Sequence, residues 1–313
     1  MRKILVFVIG VMVLLGGIMP LYASTNCATK YPIVLVHGIG NTDKSLLGIN
    51  YFWGIPAALR KEGATVYVSN QDPYNGETIR ATKLAQELGE QFAINPTWTK
   101  INIIAHSLGG LDSRNVIANY NIPGKGPAKN YIASMTSISG THKGSQMADL
   151  LWGLYTGIPV VGNFVGNMIG DAFNAVTGLI FYDTSKPNTM LMIHDLTSDF
   201  TINTFNPNAP DQPGVMYQSW GGKINYIGFT TIDQLWVGPL WLAMKAMGSG
   251  DNDMLVSLDS AKWGTWRGAI TTSWLFPGVN HLYEIDQLFG ITPYFDAKGF
   301  YVSVVKDLKA KGY

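Results

Sequence analysis

The chain has 313 residues, of which 47% are hydrophobic and 14% charged, and its formal net charge at pH 7 is +1. This length suits one large domain with insertions, and the near balance of acidic and basic residues excludes a basic nucleic-acid-binding surface. The hydrophobic fraction exceeds what a soluble core needs, which indicates that part of the apolar surface faces a lipid or a partner.

The N-terminal segment has the pattern of a secretory signal peptide. Two basic residues, Arg2 and Lys3, precede an apolar core over residues 4–19, and the segment ends in Leu-Tyr-Ala at residue 23. This pattern predicts cleavage after Ala23 and export of a mature chain of residues 24–313, to the periplasm or the medium. A retained membrane anchor is the alternative interpretation of the same apolar core.

Apolar runs alternate with amphipathic segments along the rest of the chain. This alternation predicts an α/β fold with a mostly parallel sheet and helices on both faces. The predicted strands are residues 31–40, 65–70, 101–106, 131–140, two short runs within 216–230, and 270–276. The predicted helices are residues 53–62, 77–92, 108–120 and 300–311.

Residues 144–182 form a segment of different character. They carry only two charged residues, Asp149 and Asp171, and glycines interrupt the apolar residues repeatedly. The interruptions, with Pro159, argue against a simple membrane span. We expect short apolar helices that form a mobile lid over an apolar cleft. A buried helical insertion is the alternative, and the apolar stretch 235–247 adds either to the lid surface or to the core.

The segment INIIAHSLGG, residues 101–110, is the first candidate for a catalytic site. Ser107 lies between a predicted strand and a predicted helix, where a sharp turn presents a serine hydroxyl above the sheet. Such a turn needs small flanking residues. Gly109 meets that need, and Ala105 stands where the pattern G-x-S-x-G has its first glycine. A serine that only caps the helix is the alternative.

A serine hydroxyl becomes a nucleophile when an imidazole takes its proton and an acid orients that imidazole. In this fold the acid and the histidine follow the serine along the chain. Of the five histidines, two precede Ser107, His142 has no late acid before it, and His194 lies in a predicted helix. His281, in a Pro-Gly-Val-Asn-His loop, is therefore the predicted general base.

The acid is expected on a loop between Ser107 and His281. Asp253, in the turn-rich segment GSGDNDMLV, is the first choice, Asp251 the second and Asp233 the third. Aspartate is also common in turns for purely local reasons, which is the alternative for the first two.

Two backbone N–H groups are predicted to form an oxyanion hole. One belongs to Leu108, the residue after the nucleophile. The other belongs to Ile39, after the His37-Gly38 break that ends the first strand. The alternative for that break is an ordinary loop at the end of a strand.

Several segments in the same order resemble secreted bacterial triacylglycerol lipases of the Gram-negative type, which are α/β hydrolases. The matching segments are YPIVLVHGIG, NIIAHSLGGLDSR, SGTHKGSQMAD, GVMYQSW, GDNDMLV and NHLYEIDQLFG. The resemblance implies an α/β-hydrolase fold with a lid insertion in residues 144–182. It also implies that Ser107 is the nucleophile, Asp253 the acid and His281 the base, with Ile39 and Leu108 as oxyanion donors.

The resemblance further implies a calcium ion bound by two aspartates near the histidine loop. The first corresponds to Asp233, but the second falls at Tyr283, which has no carboxylate. The chain therefore predicts no cofactor for the chemistry, and the departure at Tyr283 weighs against a structural calcium ion. The residues that would have to compensate are Glu284, Asp286, Gln287 and Ile291.

Cys27 is the only cysteine, so the intrachain disulfide of many relatives cannot form. This difference leaves open whether the chain uses the dedicated folding chaperone that some relatives need.

Together these features predict a secreted lipase that hydrolyses acylglycerol esters at a lipid–water interface through an acyl-enzyme. A phospholipase or acyltransferase acting with the same three residues is the first alternative. A lipid-binding protein that has lost the chemistry is the second.

Overall fold

The computed structural model describes residues 26–40, 50–157, 187–228, 233–287 and 290–313. The predicted signal peptide and the part of the predicted lid from residue 158 to residue 182 lie outside the described residues. Among the helices of the described ranges, none has both the length and the hydropathy that crossing a bilayer requires.

Six parallel strands form the central sheet, in the order β2-β1-β3-β6-β7-β8. A separate two-stranded antiparallel hairpin is formed by β4 and β5. The three strands β1, β3 and β6 are buried at every position, as expected for apolar strands covered on both faces. The strands are β1 Ile33–Val36, β2 Val66–Val68, β3 Ile101–His106, β4 Asn121–Ile122, β5 Gly126–Pro127, β6 Ile132–Ile138, β7 Met216–Gly222 and β8 Thr265–Ile270.

Helices connect the strands and cover the sheet. They are α1 Ile55–Lys61, α2 Glu77–Ile94, α3 Gly109–Asn119, α4 Gln146–Thr156, α5 Pro187–Asp195, α6 Gln234–Ala246, α7 Leu258–Ala261 and α8 Ala297–Ala310. Short 3₁₀ turns lie at Ala128–Asn130 and Tyr283–Ile285, and a π-helical turn at Phe200–Phe205 continues into the single turn Asn206–Asn208.

The core divides between the two faces of the sheet because neighbouring residues of a strand point to opposite sides. Ile33 and Leu35 of β1 pack with α1 and α8 on one face. Val34 and Val36 pack with α2 and α3 on the other. The predicted α/β architecture, with a parallel sheet and helices on both faces, is therefore confirmed.

The last strand differs from the prediction. The predicted strand covers residues 270–276, whereas β8 covers Thr265–Ile270 and ends at the first residue of that prediction. The residues of β8 are mostly exposed or half-buried, as expected at the edge of a sheet, so this strand lacks the continuous apolar run that marks central strands. The apolar residues that suggested a strand lie in an exposed loop, where Trp274 is 81% exposed.

The N-terminal end of the described chain is fixed to the C-terminal helix. Cys27 is fully buried, and its thiol lies 3.7 Å from the backbone oxygen of Val302 in α8. The backbone N–H of Lys30 donates to the oxygen of Tyr313 at 2.8 Å. Burial and the nearby Glu62 carboxylate raise the pKa of the Cys27 thiol.

Candidate active site

The predicted site residues converge on one edge of the sheet. The carboxyl ends of parallel strands lie at the same edge, and loops after those ends form the usual site of open α/β sheets. Ser107 follows β3, the Gly38 loop follows β1, and Asp253 and His281 lie on loops beyond β7 and β8.

Ser107 lies on a strained turn between β3 and α3. Its backbone φ is 57°, in the left-handed region that non-glycine residues rarely adopt. Its N–H donates to the oxygen of Ile138 at the end of β6 at 3.1 Å, which fixes the turn to the neighbouring strand. Its side chain is 5% exposed. This geometry is the one that sequence analysis predicts for a nucleophile on a strand–turn–helix junction.

The two glycines beside Ser107 allow close approach of the chain. A Cβ on Gly109 would lie 2.6 Å from the oxygen of Val36, so α3 can pack against the end of β1 only because that atom is missing. A Cβ on Gly38 would lie 2.7 Å from Cβ of Ser107. The loop after β1 therefore touches the serine directly, and Ile39 follows immediately.

The N–H groups of Ile39 and Leu108 are the predicted oxyanion donors. Within the described residues, neither N–H donates a hydrogen bond to another protein group. Leu108 lies next to the N-terminal end of α3, where the helix dipole favours negative charge. These are the properties that the predicted oxyanion hole requires.

A buried ion pair holds the loop that carries Ile39. Arg80 of α2 and Asp112 of α3 are fully buried, with Nη2 and Oδ2 2.7 Å apart. The same guanidinium donates to the backbone oxygens of His37 at 2.8 Å and Gly38 at 3.1 Å, and to that of Asp72. One charged group therefore fixes the path of the chain just before Ile39.

His281 and Asp253 form a buried hydrogen-bonded pair. Nδ1 of His281 lies 2.8 Å from Oδ2 of Asp253, and the backbone N–H of His281 donates to the oxygen of Asp253 at 3.0 Å. The other carboxylate oxygen accepts from the N–H groups of Leu255 and Val256 at 2.9 and 2.7 Å. The acid can therefore orient the ring and stabilise its charged form.

Burial alone would raise the pKa of Asp253, but the charge of His281 and the hydrogen bonds from His281, Val256 and Leu255 lower it below its usual value. The carboxylate is therefore ionised at neutral pH and is available as the partner of a protonated imidazole.

The ring of His281 lies over the residue before Ser107. The ring centroids of His281 and His106 are 4.4 Å apart, with an interplanar angle of 39°. Among the described residues, no hydrogen bond joins the Ser107 hydroxyl to the His281 ring. Such bonds are often long in the absence of substrate and shorten in the reacting complex.

Beneath His281, a second buried pair consists of His106 and Glu284. Nε2 of His106 lies 2.9 Å from Oε2 of Glu284, and Nδ1 lies 2.6 Å from the hydroxyl of Tyr51. Burial and the nearby Asp253 raise the pKa of Glu284 well above its usual value. Burial and His281 lower the pKa of His106 well below its usual value. Both groups are therefore neutral and add no net charge beside Asp253.

The remaining histidines and acids have other partners. His37 is buried between backbone oxygens, and burial together with Arg80 lowers its pKa to about 3. His142 contacts the Ser137 hydroxyl at 2.8 Å. His194 lies in α5, as predicted, and packs against Trp152.

Asp251, the second choice for the acid, is half exposed and pairs with Lys223 and Lys245. Asp233, the third choice, accepts from the side chain of Asn280.

Sequence analysis missed the residues that support the site through packing. Arg80 falls on the buried face of α2 between Glu77 and Ala81, where a charged residue requires a partner. A charged residue at this buried position is the feature of the sequence that indicates an ion pair such as Arg80–Asp112. Ser139, whose hydroxyl donates to Glu284 at 2.8 Å, gives no signal in the sequence.

An apolar cluster lies beside the nucleophile. Leu108, at the N-cap of α3, and Leu111 in α3 pack with residues of α4 and α5, including Ala148 and Met192, and Ile39 joins the cluster. Leu154 and Tyr155 near the end of α4 are 51% and 64% exposed. The described start of the predicted lid, residues 144–157, therefore contains α4, which buries Ala148 and Leu150 and exposes the apolar side chains of Leu154 and Tyr155.

The apolar stretch 235–247 corresponds largely to α6. Val237 and Leu240 are buried, whereas Leu235 and Leu242 are 64% and 50% exposed. This helix therefore contributes to both the core and the surface.

The residues at the implied calcium position do not fit that ion. Oδ2 of Asp233 accepts from Nδ2 of Asn280 at 3.2 Å, which directs an N–H donor, not an oxygen, at the carboxylate. Nε2 of Gln287 donates to the backbone oxygens of Asn50, at 2.6 Å, and Tyr51. Calcium needs several oxygen ligands, and this arrangement offers one carboxylate.

The acidic residues considered as replacements have other partners. Glu284 faces His106 and Ser139, and Asp286 pairs with Lys298 and accepts from Thr292 at 3.0 Å. Among the described residues, the one group of three potential metal-binding side chains comprises His106, His281 and Glu284, which belong to the site described above.

Comparisons with known proteins identify lipases and esterases as relatives of this chain. Residues 30–151 match a family model described as "Putative serine esterase (DUF676)". The chain is 31% identical to a triacylglycerol lipase of Pseudarthrobacter phenanthrenivorans, over 86% of this chain and 92% of that protein. It is also 31% identical to a triacylglycerol lipase of Burkholderia plantarii, over 86% of this chain and 82% of that protein.

Among solved structures, the mature form of the Bacillus licheniformis lipase BlEst2 superposes with a TM-score of 0.59 and 20% identity. The match covers 88% of this chain and 92% of that chain. At this identity the superposition supports the fold.

Proposed function

The chain belongs to the triacylglycerol lipase family, and we propose that Ser107, His281 and Asp253 are the residues with which it hydrolyses acylglycerol esters. It is a carboxylic ester hydrolase, and its substrate is a lipid ester. The observation that carries the residue assignment is the 2.8 Å contact of His281 with Asp253 beside the left-handed turn at Ser107.

The geometry gives each group a defined step. The Ser107 hydroxyl attacks the ester carbonyl carbon while Nε2 of His281 takes its proton, and Asp253 stabilises the resulting imidazolium. The carbonyl oxygen, now negatively charged, accepts hydrogen bonds from the N–H groups of Ile39 and Leu108. His281 then protonates the departing glyceride alcohol, leaving an acyl-enzyme. Water, deprotonated by His281, attacks that ester; the bond to the Ser107 oxygen breaks, His281 returns the proton to that oxygen, and the fatty acid is released.

We further propose that the substrate is met at a lipid–water interface. Two features support this. The apolar cluster beside Leu108 offers an environment for acyl chains. The loop before His281 exposes Trp274 and Leu275, and Phe276 stacks on Tyr294 with centroids 4.2 Å apart. A lid formed by residues 144–182 and export after cleavage at Ala23 belong to the same proposal.

The test compares wild type with Ser107→Ala on a long-chain triglyceride emulsion and on a soluble short-chain ester, together with labelling by a fluorophosphonate probe. We expect wild type to hydrolyse the emulsion and to be labelled, and the variant to do neither. Hydrolysis of the soluble ester alone would make the protein an esterase. Release of fatty acid from phospholipid but not triglyceride would make it a phospholipase, and full activity of the variant would remove the serine mechanism.

A further inference from the structure

The residue before His281 gives its loop a side-chain attachment to another element, beside the backbone hydrogen bonds of Val279 to Lys223 and of His281 to Asp253. Asn280 is 4% exposed, and both ends of its side-chain amide are used. Oδ1 accepts from the backbone N–H groups of Leu282, at 3.1 Å, and Tyr283, at 2.9 Å. Nδ2 donates to Oδ2 of Asp233 at 3.2 Å.

The two backbone bonds determine which way the amide faces. An amide nitrogen cannot accept from the N–H groups of Leu282 and Tyr283, so the oxygen must point toward them and the NH₂ group toward Asp233. A cation bound by Asp233 would therefore meet the positive end of this amide. The orientation that fits the 3₁₀ turn after His281 therefore directs an N–H donor, and not a ligand oxygen, at Oδ2 of Asp233.

Asp233 is itself part of a fixed element. It is 4% exposed, and its backbone oxygen accepts from Val237 in the first turn of α6 at 2.9 Å. Val237 and Leu240 in turn pack with Met147 and Leu150 of α4. The Asn280–Asp233 hydrogen bond thus connects the His281 loop to a packed helix and not only to another loop.

We propose that the Asn280–Asp233 hydrogen bond positions the His281 loop in this chain in place of a calcium ion, so that both stability and turnover are independent of divalent cations. The proposal rests on the proposed function, since it assigns Asn280 a positioning role for His281. Removal of divalent cations by a chelator should therefore leave activity and stability unchanged, whereas removal of the Asn280 amide should lower kcat.

The first test measures kcat and KM on a soluble ester, and the melting temperature, for the full mature chain in excess EDTA and in excess calcium chloride. We expect both kinetic constants and the melting temperature to be the same in the two conditions. Loss of activity or a lower melting temperature in EDTA, restored by calcium, would overturn the proposal. This result would leave the proposed function intact, because fluorophosphonate labelling of Ser107 in calcium would still report an active serine.

The second test replaces Asn280. Asn280→Ala is expected to lower kcat roughly 10- to 100-fold with little change in KM, because His281 is displaced relative to the serine. Asn280→Asp sets a second carboxylate against Asp233, so kcat should fall in EDTA and recover in calcium, with a rise in melting temperature on calcium binding. An Asn280→Asp variant that is as active in EDTA as wild type would contradict the proposed role.

Asn206→Ala is the matched control. Asn206 also uses both ends of its amide, accepting from Arg114 at 2.7 Å and donating to the oxygen of His142 at 2.9 Å, but it does not contact the His281 loop. This variant should lower the melting temperature without a comparable loss of kcat. Equal kcat losses in the Asn206 and Asn280 variants would show that Asn280 acts only through stability and would overturn its positioning role.

Discussion

Ser107 and His281 reach the same edge of the sheet by different routes. Ser107 is held by continuous secondary structure, since β3 leads into it and α3 leads away from it. His281 lies eleven residues beyond β8 on a loop, where its ring is hydrogen-bonded to Asp253 and the preceding Asn280 donates to Asp233. The comparison shows that the nucleophile is positioned by the fold, and the base by a small number of side chains.

This difference explains where single substitutions should act. Around Ser107, the supporting groups are backbone and glycine, so damage requires a steric clash or the loss of a buried charge. Around His281, the supporting groups are the side chains of Asp253 and Asn280 together with backbone hydrogen bonds of the loop, so a change of one or two side-chain atoms can displace the ring. The predictions below test this contrast, beginning with the largest effect.

Asp253→Asn is expected to reduce kcat about 10³- to 10⁴-fold while the protein remains folded. The amide oxygen can still accept from Leu255 and Val256, but the amide NH₂ then faces Nδ1 of His281 and favours the wrong tautomer of the ring. Steady-state kinetics on a soluble ester, with circular dichroism, measure the effect.

Asp251→Asn, two residues away, is the control for that variant. Its carboxylate is half exposed and pairs only with Lys223 and Lys245, so its loss should change kcat less than about twofold. A larger loss in Asp251→Asn than in Asp253→Asn would assign the acid to Asp251.

Arg80→Met tests the other side of the site. It leaves Asp112 buried without its partner, which we expect to lower the free energy of unfolding by about 3–5 kcal/mol. It also frees the backbone oxygens of His37 and Gly38, so kcat should fall because the Ile39 N–H is displaced. Urea denaturation and steady-state kinetics measure the two effects.

The double variant Arg80→Met/Asp112→Leu separates the charge from the packing. It removes both charges and should recover most of the stability but not the full activity, since the backbone oxygens of His37 and Gly38 still lack the guanidinium that holds them. Arg60→Met, at an exposed arginine that donates to the oxygen of Val66, should change neither property appreciably. Full recovery of activity in the double variant would show that Arg80 does not position the loop.

The loop before His281 also carries the exposed apolar residues. Trp274→Ser/Leu275→Ser should reduce turnover of a triglyceride emulsion roughly tenfold, because the apolar contact with the lipid surface is lost, and leave hydrolysis of a soluble ester unchanged. Ile94→Ser is the control, since Ile94 is 70% exposed but lies at the end of α2, toward the opposite edge of the sheet. Equal losses on both substrates would assign these residues to the stability of the loop.

Glu77→Gln should change the melting temperature, by an amount that depends on pH. Burial, followed by the nearby Asp112, raises the pKa of Glu77 to about 8 from 4.5, so the folded protein loses stability as pH rises between these values. The amide cannot ionise, so the variant should melt about 2–4 °C higher than wild type at pH 8 for each kcal/mol gained, and little differently below pH 4.5. Glu90→Gln, at an exposed position of α2, should show no such dependence.

The contrast between the two sides also explains what sequence analysis can and cannot predict. The turn at Ser107 is predictable because the strand, the serine, the small residue and the helix are contiguous. Once Ser107 is chosen, chain order selects His281, and loop composition ranks Asp253 first among three aspartates without fixing the pair. Both arguments use local pattern or order, which a sequence contains directly.

The supporting residues cannot be derived in the same way. Arg80 and Asp112 lie 32 positions apart, and Glu284 lies 178 positions from His106. Their partners are set by how helices and loops pack, and nothing in the local sequence specifies that packing. The edge strand β8 begins at Thr265, five residues before the predicted strand. The difference arises because exposed strands lack the continuous apolar runs that identify buried ones.

The burial of Cys27 against α8 has a practical consequence. As the single thiol in the chain, it serves as an intrinsic reporter for detachment of the N-terminal segment that contains it. A maleimide added during a denaturant series would modify only molecules in which that segment has separated from the C-terminal helix. Comparison of its labelling midpoint with that of global unfolding would reveal whether the two chain ends open first or together with the sheet.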